Sequence, residues 1–522
     1  MRPLATDTHD FPKIRREGKI YVDKTMFMHR LVTDPDSNLF FVSRPRRFGK
    51  SLTISALKAL FSGRRELFKG LHIDSTDWKW EKYPIIHFEF NDLTTTSVEE
   101  FAESLAYHVR SRLEAVGFAY DKSVPMPDNF GNAITSLSAA NGGKGVVILV
   151  DEYDAPVGHC LDDIAKAEAV RDRLSAVYSQ MKNRTGDIRF LLMTGVSKFT
   201  RLSVFSALNN IVDISQKDEY ATMFGYTEDE LSANFEEHLR AHAEKMGKPY
   251  EEYRAEMKRW YNGFRFAPEV ETTVYNPISV AYTLSNKARS FKATWATTGR
   301  PSMLMNYLKR EDLLRIDYEC LAGVPESEFD VADLRNLKAV SMLYQSGYLT
   351  VKDYDGGLYT LGVPDEEVRR DLATLVAGAA ADEDMQWAAS LCAKLIVARW
   401  SEFFVGLKSL YARMPYGALE GTIHEHSYER ILCTLLAAQG VRCRAEDVQA
   451  NGRADVVAEH RKGICIFELK VDEPVDRAFA QIRAKGYAEP YRADGRPIWL
   501  IGLSFDSKTR HLTDCAAERY EN

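Results

Sequence analysis

No long uncharged apolar run occurs in this 522-residue sequence, so a membrane-spanning helix is not expected. The first residues lack the apolar core of a signal peptide. Cysteines are few and scattered, seven in all, and none forms a C-x-x-C pair. This pattern argues against a disulfide-stapled secreted protein and against a zinc site built on paired cysteines. A cytoplasmic protein without a membrane partner is therefore expected.

The sequence also has no excess of positive charge. Its formal net charge is -7 at pH 7, whereas nucleic-acid-binding proteins usually have a basic surface. A local basic groove is still compatible with an acidic protein. The charge therefore argues against tight, non-specific binding of nucleic acid, and it favours an activity that needs a trigger or a partner.

The length exceeds what one hydrophobic core usually spans, and the pattern along the chain predicts three domains. An α/β domain, 1–225, contains short apolar runs typical of buried parallel strands. A mostly helical middle or lid domain, 226–400, precedes a second α/β domain, 401–522. The predicted strands are 38–43, 85–90, 146–150 and 188–194, then 348–351 and 357–361, and finally 454–459, 464–469 and 498–503; predicted C-terminal helices are 425–438 and 475–487.

A phosphate-binding loop is predicted between the first strand and the helix that follows it. The segment Arg44-Pro45-Arg46-Arg47-Phe48-Gly49-Lys50-Ser51 ends like a G-x-x-x-x-G-K-S loop, but Arg44 replaces the first glycine. Backbone N–H groups of such a loop face phosphates, and the arginines are expected to add positive charge beside them. Lys50 is predicted to reach the β- and γ-phosphates, and the Ser51 hydroxyl to ligate Mg²⁺. The predicted cofactor-binding residues of the loop are Arg46, Arg47, Phe48, Gly49, Lys50 and Ser51.

Two acids at the end of a later strand predict the other half of this site. The apolar run 146–150 ends in Asp151 and Glu152. Asp151 is predicted to hold magnesium, directly or through water, and Glu152 to polarise the attacking water. The strand between the two motifs indicates a P-loop class with an extra inserted strand. After the next strand, Thr194 and Ser197 are candidate sensors of the γ-phosphate, although either side chain also suits a helix cap.

These segments resemble the AAA-ATPase-like family of bacterial proteins. The resemblance covers about residues 11–299, and the loop of that family also lacks the first glycine. It implies binding of ATP with Mg²⁺, but it does not imply what the ATP is used for. Besides the loop, the resemblance is carried by Phe11-Pro12-Lys13-Ile14-Arg15, Tyr21-Val22-Asp23-Lys24-Thr25, Leu60-Phe61-Ser62-Gly63, Thr194-Gly195-Val196-Ser197-Lys198-Phe199 and Trp260-Tyr261-Asn262-Gly263-Phe264-Arg265-Phe266.

A second site is predicted on a β-hairpin near the C-terminus. Residues two apart in a strand share a face, so Glu468 and Lys470 point the same way, and Asp455 on the neighbouring strand is expected to converge on them. Asp455 and Glu468 offer hard oxygen ligands to a divalent metal ion, which polarises a phosphate and lowers the pKa of an attacking water. Lys470 is predicted to orient that water or to stabilise charge in the transition state.

Two helical residues are predicted to extend the hairpin site. Glu425, on the preceding helix, is predicted to reach the metal ion, with Glu429 one helical turn away as the alternative. Gln481, on the following helix, is predicted to bind the nucleophilic water or the scissile phosphate.

The order of these residues resembles the PD-(D/E)XK nuclease superfamily over about residues 424–503. Gly452-Arg453-Ala454-Asp455 and Ile466-Phe467-Glu468-Leu469-Lys470 carry the match, with Ala454 in place of the usual proline. The resemblance implies hydrolysis of nucleic-acid phosphodiester bonds, with DNA favoured over RNA. It also implies Mg²⁺ at this site, with Mn²⁺ as the alternative ion.

Together the resemblances imply an α/β protein: a P-loop NTPase domain with a parallel sheet, a mostly helical middle domain, and a C-terminal α/β domain of the restriction-endonuclease type. The implied function is ATP binding and hydrolysis coupled to a metal-dependent nuclease. One alternative is an ATP-driven regulatory switch whose nuclease-like domain binds nucleic acid or a partner without cleaving. Another is a bacterial defence effector that cuts invading nucleic acid after a trigger. Related ATPases often act as oligomers, so a homo-oligomer is a further expectation, although no residue pattern identifies an interface.

Overall fold

The chain divides into two compact units in a computed structural model. The first contains Met1–Tyr307 and Asp317–Glu366, and the second contains Leu308–Ile316 and Glu367–Asn522. The three-domain division drawn from the sequence stays a prediction. No described helix is both long and apolar enough to cross a membrane. The structure describes residues 1–198, 210–285, 290–294, 316, 318–329, 334–381, 385–412, 425–438, 441–449 and 452–521.

A parallel sheet forms the centre of the first unit, as predicted, and it has five strands where the sequence predicted four. Its strands lie in the order β2-β3-β4-β1-β5. β4 therefore separates β1, which leads into the predicted phosphate-binding loop, from β3, which ends at Asp151. Both β1 and β3 are buried along their whole length, which explains their nearly continuous apolar runs. The bounds are β1 (Leu39–Ser43), β2 (Ile85–Glu89), β3 (Val146–Asp151), β4 (Ile188–Gly195) and β5 (Val212–Asp213).

The helices of the first unit begin with different local signals. The helix after Thr227 has a capping box, in which Thr227 and Glu230 satisfy each other's backbone N–H groups. The helix after Gly49 has no capping side chain at its N-terminus. The bounds are α1 (Phe11–Arg16), α2 (Thr25–Val32), α3 (Lys50–Phe61), α4 (Val98–Ala115), α5 (Met126–Ala140), α6 (Ala155–Gly158), α7 (Ile164–Lys182), α8 (Glu228–Lys245), α9 (Tyr250–Tyr261), α10 (Pro277–Leu284) and α11 (Ala339–Gln345).

Two small antiparallel sheets complete the first unit. β6 (Asn262–Phe264) pairs with β7 (Val274–Tyr275). β8 (Leu321–Pro325), β9 (Thr350–Asp355) and β10 (Leu358–Gly362) form a sheet in the order β8-β10-β9. The sequence predicted the strands equivalent to β9 and β10 but not β8, which exposes most of its residues and so lacks an apolar signal.

The second unit has a mixed five-stranded sheet in the order β11-β12-β13-β14-β15. β13 and β14 are parallel, and the other neighbouring pairs are antiparallel. The predicted C-terminal α/β class is confirmed. The bounds are β11 (Arg442–Gln449), β12 (Gly452–His460), β13 (Gly463–Val471), β14 (Ile498–Phe505) and β15 (Leu512–Arg519), with helices α12 (Glu366–Ala381), α13 (Met385–Ile396), α14 (Trp400–Ala412), α15 (Glu425–Ala438) and α16 (Val475–Lys485).

The two faces of this sheet are covered by different helices. Phe467 and Leu469 belong to the core shared with α13, α14 and α15. Ile464 and Ile466 belong to a separate core with α16. Successive side chains of a strand point to opposite faces, so the residues of β13 with even numbers, including Lys470, lie on the face that carries α16.

Candidate functional site

The loop between β1 and α3 lines a cavity of about 670 Å³. This volume lies within the range of about 300–1,000 Å³ that is usual for ligand pockets. Gly49 has a φ of 95° and Arg47 a φ of 70°, a left-handed conformation that a non-glycine residue rarely adopts. The loop therefore turns at Arg47 and Gly49, and not at the first position, where Arg44 replaces the usual glycine.

The ammonium of Lys50 is buried at the edge of this cavity. Its Nζ donates hydrogen bonds of 2.8 and 2.9 Å to the carbonyl oxygens of residues 44–45. Burial lowers the pKa of Lys50 to about 8, and the nearby carboxylates of Asp151, Glu152 and Asp154 act in the opposite direction. Lys50 is thus a cation kept among acids and loop carbonyls, in a position suited to a phosphate.

The two acids predicted from the end of β3 take different positions. Glu152 lies on the cavity wall, with a φ of 53°, and burial followed by the charge of Asp151 raises its pKa. Asp151 is 3% exposed and is not among the described residues that line the cavity. It accepts hydrogen bonds from the Thr194 hydroxyl and from the Glu152 N–H, the latter at 3.1 Å. Thr194 therefore positions Asp151, while Ser197 lies on the cavity wall.

A third acid, Asp154, was missed by the sequence reasoning. Its carboxylate accepts hydrogen bonds from the N–H groups of Ser197 at 2.7 Å and Val196 at 3.2 Å, and from the Ser197 hydroxyl. Asp154 is 3% exposed and lines the cavity. The available signal was a third acid close behind Asp151 and Glu152. Asp154 thus holds Ser197, the predicted γ-phosphate sensor, in place.

Arg44 does not lie beside the phosphate site, so the expectation that it adds charge there is wrong. Its guanidinium donates to the carbonyl oxygens of Ser43 at 2.9 Å and Ser215 at 2.5 Å. It also lies 4.3 Å from the ring centroid of Phe266, and burial lowers its pKa to about 10. Arg44 therefore ties the end of β1 to the segment that follows β5.

Residues 46–51, the predicted cofactor-binding residues of the loop, all line the cavity. Arg46 is exposed. Arg47 donates a hydrogen bond of 2.8 Å to the Thr294 carbonyl oxygen. The ring of Phe48 is 1% exposed and packs edge-on against Phe264 at 4.7 Å and Phe266 at 5.1 Å. The Phe48 side chain therefore anchors the loop. Only the backbone of Phe48 is in a position to contact a phosphate.

Several further polar residues of the cavity wall were not predicted. Lys24 forms an ion pair of 2.7 Å with Glu230 of the α8 capping box. Gln345, on α11, accepts a hydrogen bond of 2.8 Å from the Lys198 N–H, directly after Ser197. Their roles depend on contacts between distant parts of the chain, which the sequence pattern does not encode. The unpredicted polar wall residues include Lys24, Asn91, Asp154, His159 and Gln345.

The hairpin of the second unit brings three predicted residues together. The pairing of Val456 with Phe467 sets Asp455 beside the Glu468–Lys470 segment. Asp455 Oδ2 accepts a hydrogen bond of 2.7 Å from the Leu469 N–H. Lys470 Nζ lies 3.0 Å from Glu468 Oε1. Asp455 and Lys470 are 9% and 8% exposed, and Glu468 is fully buried.

Gln481 of α16 reaches this cluster through Tyr487. The Gln481 side chain is a near neighbour of the Tyr487 hydroxyl and acts to lower its pKa. Burial raises the pKa of Tyr487, and the charges of Glu468 and Asp455 raise it further. The structure thus places Gln481 on the helix that covers the same face of the sheet as Lys470.

The third predicted metal ligand is less defined. Glu425 begins α15, but its side chain lies outside the described residues. The alternative, Glu429, is 1% exposed on the same helix. Among described side chains, no group of three or more His, Cys, Asp or Glu residues is arranged to hold a metal ion. Mg²⁺ is often bound by one or two carboxylates together with water and substrate, so Asp455 and Glu468 still fit as its donors.

Comparisons with known proteins match the segments that contain the two clusters. A family model described as a predicted AAA-ATPase matches residues 5–205, which include the loop and Asp151–Asp154. A model of the PD-(D/E)XK nuclease superfamily matches residues 423–514, which include the hairpin. An uncharacterized protein in the vnfD 5' region of Azotobacter chroococcum mcd 1 is 32% identical over 538 residues, covering 99% of this chain and 98% of that protein. Both resemblances drawn from the sequence are confirmed.

Replacing Gly195 by alanine is expected to lower the free energy of unfolding by about 1–3 kcal/mol. The added Cβ would lie 2.5 Å from the Tyr153 ring and 2.6 Å from Asp154 Oδ1. Gly186→Ala is the matched control, since nothing lies within 4 Å of a Cβ at that position. Urea unfolding of both variants measures the difference, and equal stabilities would show that the Gly195 contact does not constrain this wall.

Proposed function

This chain belongs to the AAA-ATPase-like family and ends in a domain of the PD-(D/E)XK nuclease superfamily, and from that premise we propose that it hydrolyses ATP and cleaves nucleic acid. The family assignments support ATPase and nuclease-like activity in general. The proposal adds the residues, the metal ions and the coupling of the two activities. The observation that carries it is the pair of polar clusters, one around Lys50 and one around Lys470.

The first cluster supports ATP binding and hydrolysis. Lys50 would exchange its loop carbonyl partners for phosphate oxygens, which restores a full charge partner to the buried ammonium. Mg²⁺ would be held by Ser51 and, through a water molecule, by Asp151, which does not line the cavity; when bound, the ion neutralises phosphate charge. Glu152 has a raised pKa and a place on the cavity wall, both of which suit a base that orients water.

The second cluster supports phosphodiester hydrolysis. Asp455 and Glu468 would hold Mg²⁺ or Mn²⁺, which supplies an activated water and a polarised phosphate when bound. Lys470 would stabilise negative charge on the phosphate, because its ammonium lies in a site with little water. Gln481 would orient the water or the phosphate from α16. We propose DNA as the preferred substrate and a coupling in which ATP binding licenses cleavage.

A second function is favoured by one observation. Glu468 is fully buried, and its carboxylate is already paired with Lys470 at 3.0 Å. A metal ion competes with that ammonium for the same carboxylate, which weakens metal binding relative to an open site. This arrangement favours an ATP-driven switch whose nuclease-like domain binds nucleic acid or a partner without cleaving it. The two functions differ in whether the wild-type protein cleaves nucleic acid in a reaction that depends on Lys470.

Replacing Lys50 by alanine is expected to weaken binding of Mg²⁺-ATP by roughly 30-fold, or about 2 kcal/mol, because a charged hydrogen-bond donor to phosphate is lost. Calorimetric titration measures the dissociation constant. Lys58→Ala is the control, since Lys58 lies on the exposed side of the same helix, α3. Equal affinities in wild type and Lys50→Ala would remove the proposed phosphate role of Lys50.

Replacing Lys470 by alanine is expected to reduce Mg²⁺- or Mn²⁺-dependent cleavage of plasmid or single-stranded DNA by about 100-fold or more. The assay is run with and without ATP. Lys462→Ala, in the exposed turn between β12 and β13, is the matched control and is expected to cleave like wild type. If wild type binds DNA but shows only the background cleavage of Lys470→Ala, the switch replaces the nuclease as the proposed function.

A further inference from the structure

Two thiols of the second unit are in direct contact. Cys433 Sγ, on α15, lies 3.0 Å from Cys443 Sγ, on β11. Both residues are partly buried against the core that joins α15 to the sheet. A disulfide bond is about 2.05 Å long, so the sulfurs need to approach by only about 1 Å to become bonded.

The surrounding thiols are turned toward other partners. Cys392 and Cys465 are close enough to affect the Cys443 thiol, and both are buried. However, Cys392 Sγ contacts the Leu435 carbonyl oxygen at 3.8 Å, and Cys465 Sγ contacts His460 Nε2 at 3.7 Å. Among the described side chains, these cysteines are not arranged to hold a metal ion. The geometry therefore selects the pair of Cys433 and Cys443, and it selects oxidation as their shared chemistry.

We propose that Cys433 and Cys443 are a redox-responsive modification site that a low-molecular-weight disulfide, such as glutathione disulfide, converts to an intradomain disulfide. One cysteine thiolate attacks a sulfur of the small disulfide, so that a mixed disulfide forms and one thiol leaves. The second cysteine thiolate attacks the protein sulfur of the mixed disulfide, and the second small thiol leaves. Two cysteines are oxidised, and one small disulfide is reduced to two thiols.

The surroundings of the two sulfurs affect how readily each one attacks. The thiolate is the nucleophile in this exchange. Burial and the adjacent Cys433 hold the pKa of Cys443 well above its usual range, which disfavours its thiolate. Because the two sulfurs lie 3.0 Å apart, a mixed disulfide on either cysteine is within reach of the other thiol.

The bond would fix α15 to an edge of the sheet. β11 is the outermost strand and has β12 as its neighbour in the sheet order. The closed ring would span residues 433–443, and such a constraint limits the unfolded chain more than the folded one. Cys433 and Cys443 pack with Phe467 and Leu469, whereas Lys470 lies on the other face. Formation of the bond is therefore measurable independently of nuclease activity.

The test is a redox titration of the full chain. Wild-type protein is equilibrated in buffers of increasing glutathione disulfide, blocked with N-ethylmaleimide, digested without reductant, and mapped by mass spectrometry. The expected result is one intrachain crosslink between the peptides of Cys433 and Cys443, which dithiothreitol reverses. The urea midpoint of the oxidised protein is expected to rise. Cys515→Ala, a partly buried cysteine on β15, is the matched control and is expected to keep the crosslink.

A variant separates the two chemical steps. Cys443→Ala is expected to stop at the mixed disulfide of Cys433 with glutathione, because the resolving thiol is missing. The proposal is overturned if both wild-type thiols are still fully alkylated in the most oxidising buffer. It is also overturned if Cys443 is linked to Cys392 or Cys465 instead of Cys433. These outcomes come from the wild-type protein and do not depend on how the variant folds.

Discussion

The buried ammonium of Lys50 is the constraint on which the first unit's site depends. A buried cation needs partners, and here they are two loop carbonyls with three acids nearby. The loop backbone must turn toward Lys50 to supply those carbonyls. The side chains of Arg44 and Phe48 anchor the loop in the core. The acids come from the parallel sheet. β1 leads into the loop, and β3, which ends at Asp151, lies on the other side of β4. The cavity lies between the loop and the segments that carry Glu152 and Asp154. Its buried ammonium, Lys50, suits a phosphate chain.

In the second unit, the register of the β-strands is the constraint on which the site depends. The alternation of side chains along β13 sends Phe467 and Leu469 into one core and leaves Lys470 on the face with α16. The Leu469 N–H then holds the Asp455 carboxylate in place. A shift of one residue would bury the polar set in the larger core, so the fold strongly specifies the arrangement. The resulting cluster is largely buried, which strengthens electrostatic effects on a phosphate but also favours the Lys470–Glu468 pair.

The sequence predicted the parts of both sites whose signals are local. β1, β3 and β13 are fully or largely buried, so their apolar runs were readable. β11 and β15 are edge strands rich in polar residues, which do not give that pattern. Arg44 was assigned to the wrong surroundings because its partners, Ser215 and Phe266, are far along the chain. Asp154 was missed for the same reason, since its partners follow β4. The positions of the motif residues were therefore readable from local signals, but the contacts that support them were not.

Proton uptake on binding of Mg²⁺-ATP tests the role of Lys50 most directly. The pKa of Lys50 is lowered to about 8, so at about pH 9 the free protein holds Lys50 largely neutral. A phosphate partner favours the ammonium, and binding must then take up a proton, with affinity falling as pH rises above about 8. Calorimetric titrations in buffers of different ionisation enthalpy give the number of protons. The account predicts an uptake approaching one proton per ATP in the wild type at about pH 9 and none in Lys50→Ala. No uptake in the wild type, or equal uptake in both proteins, would contradict it.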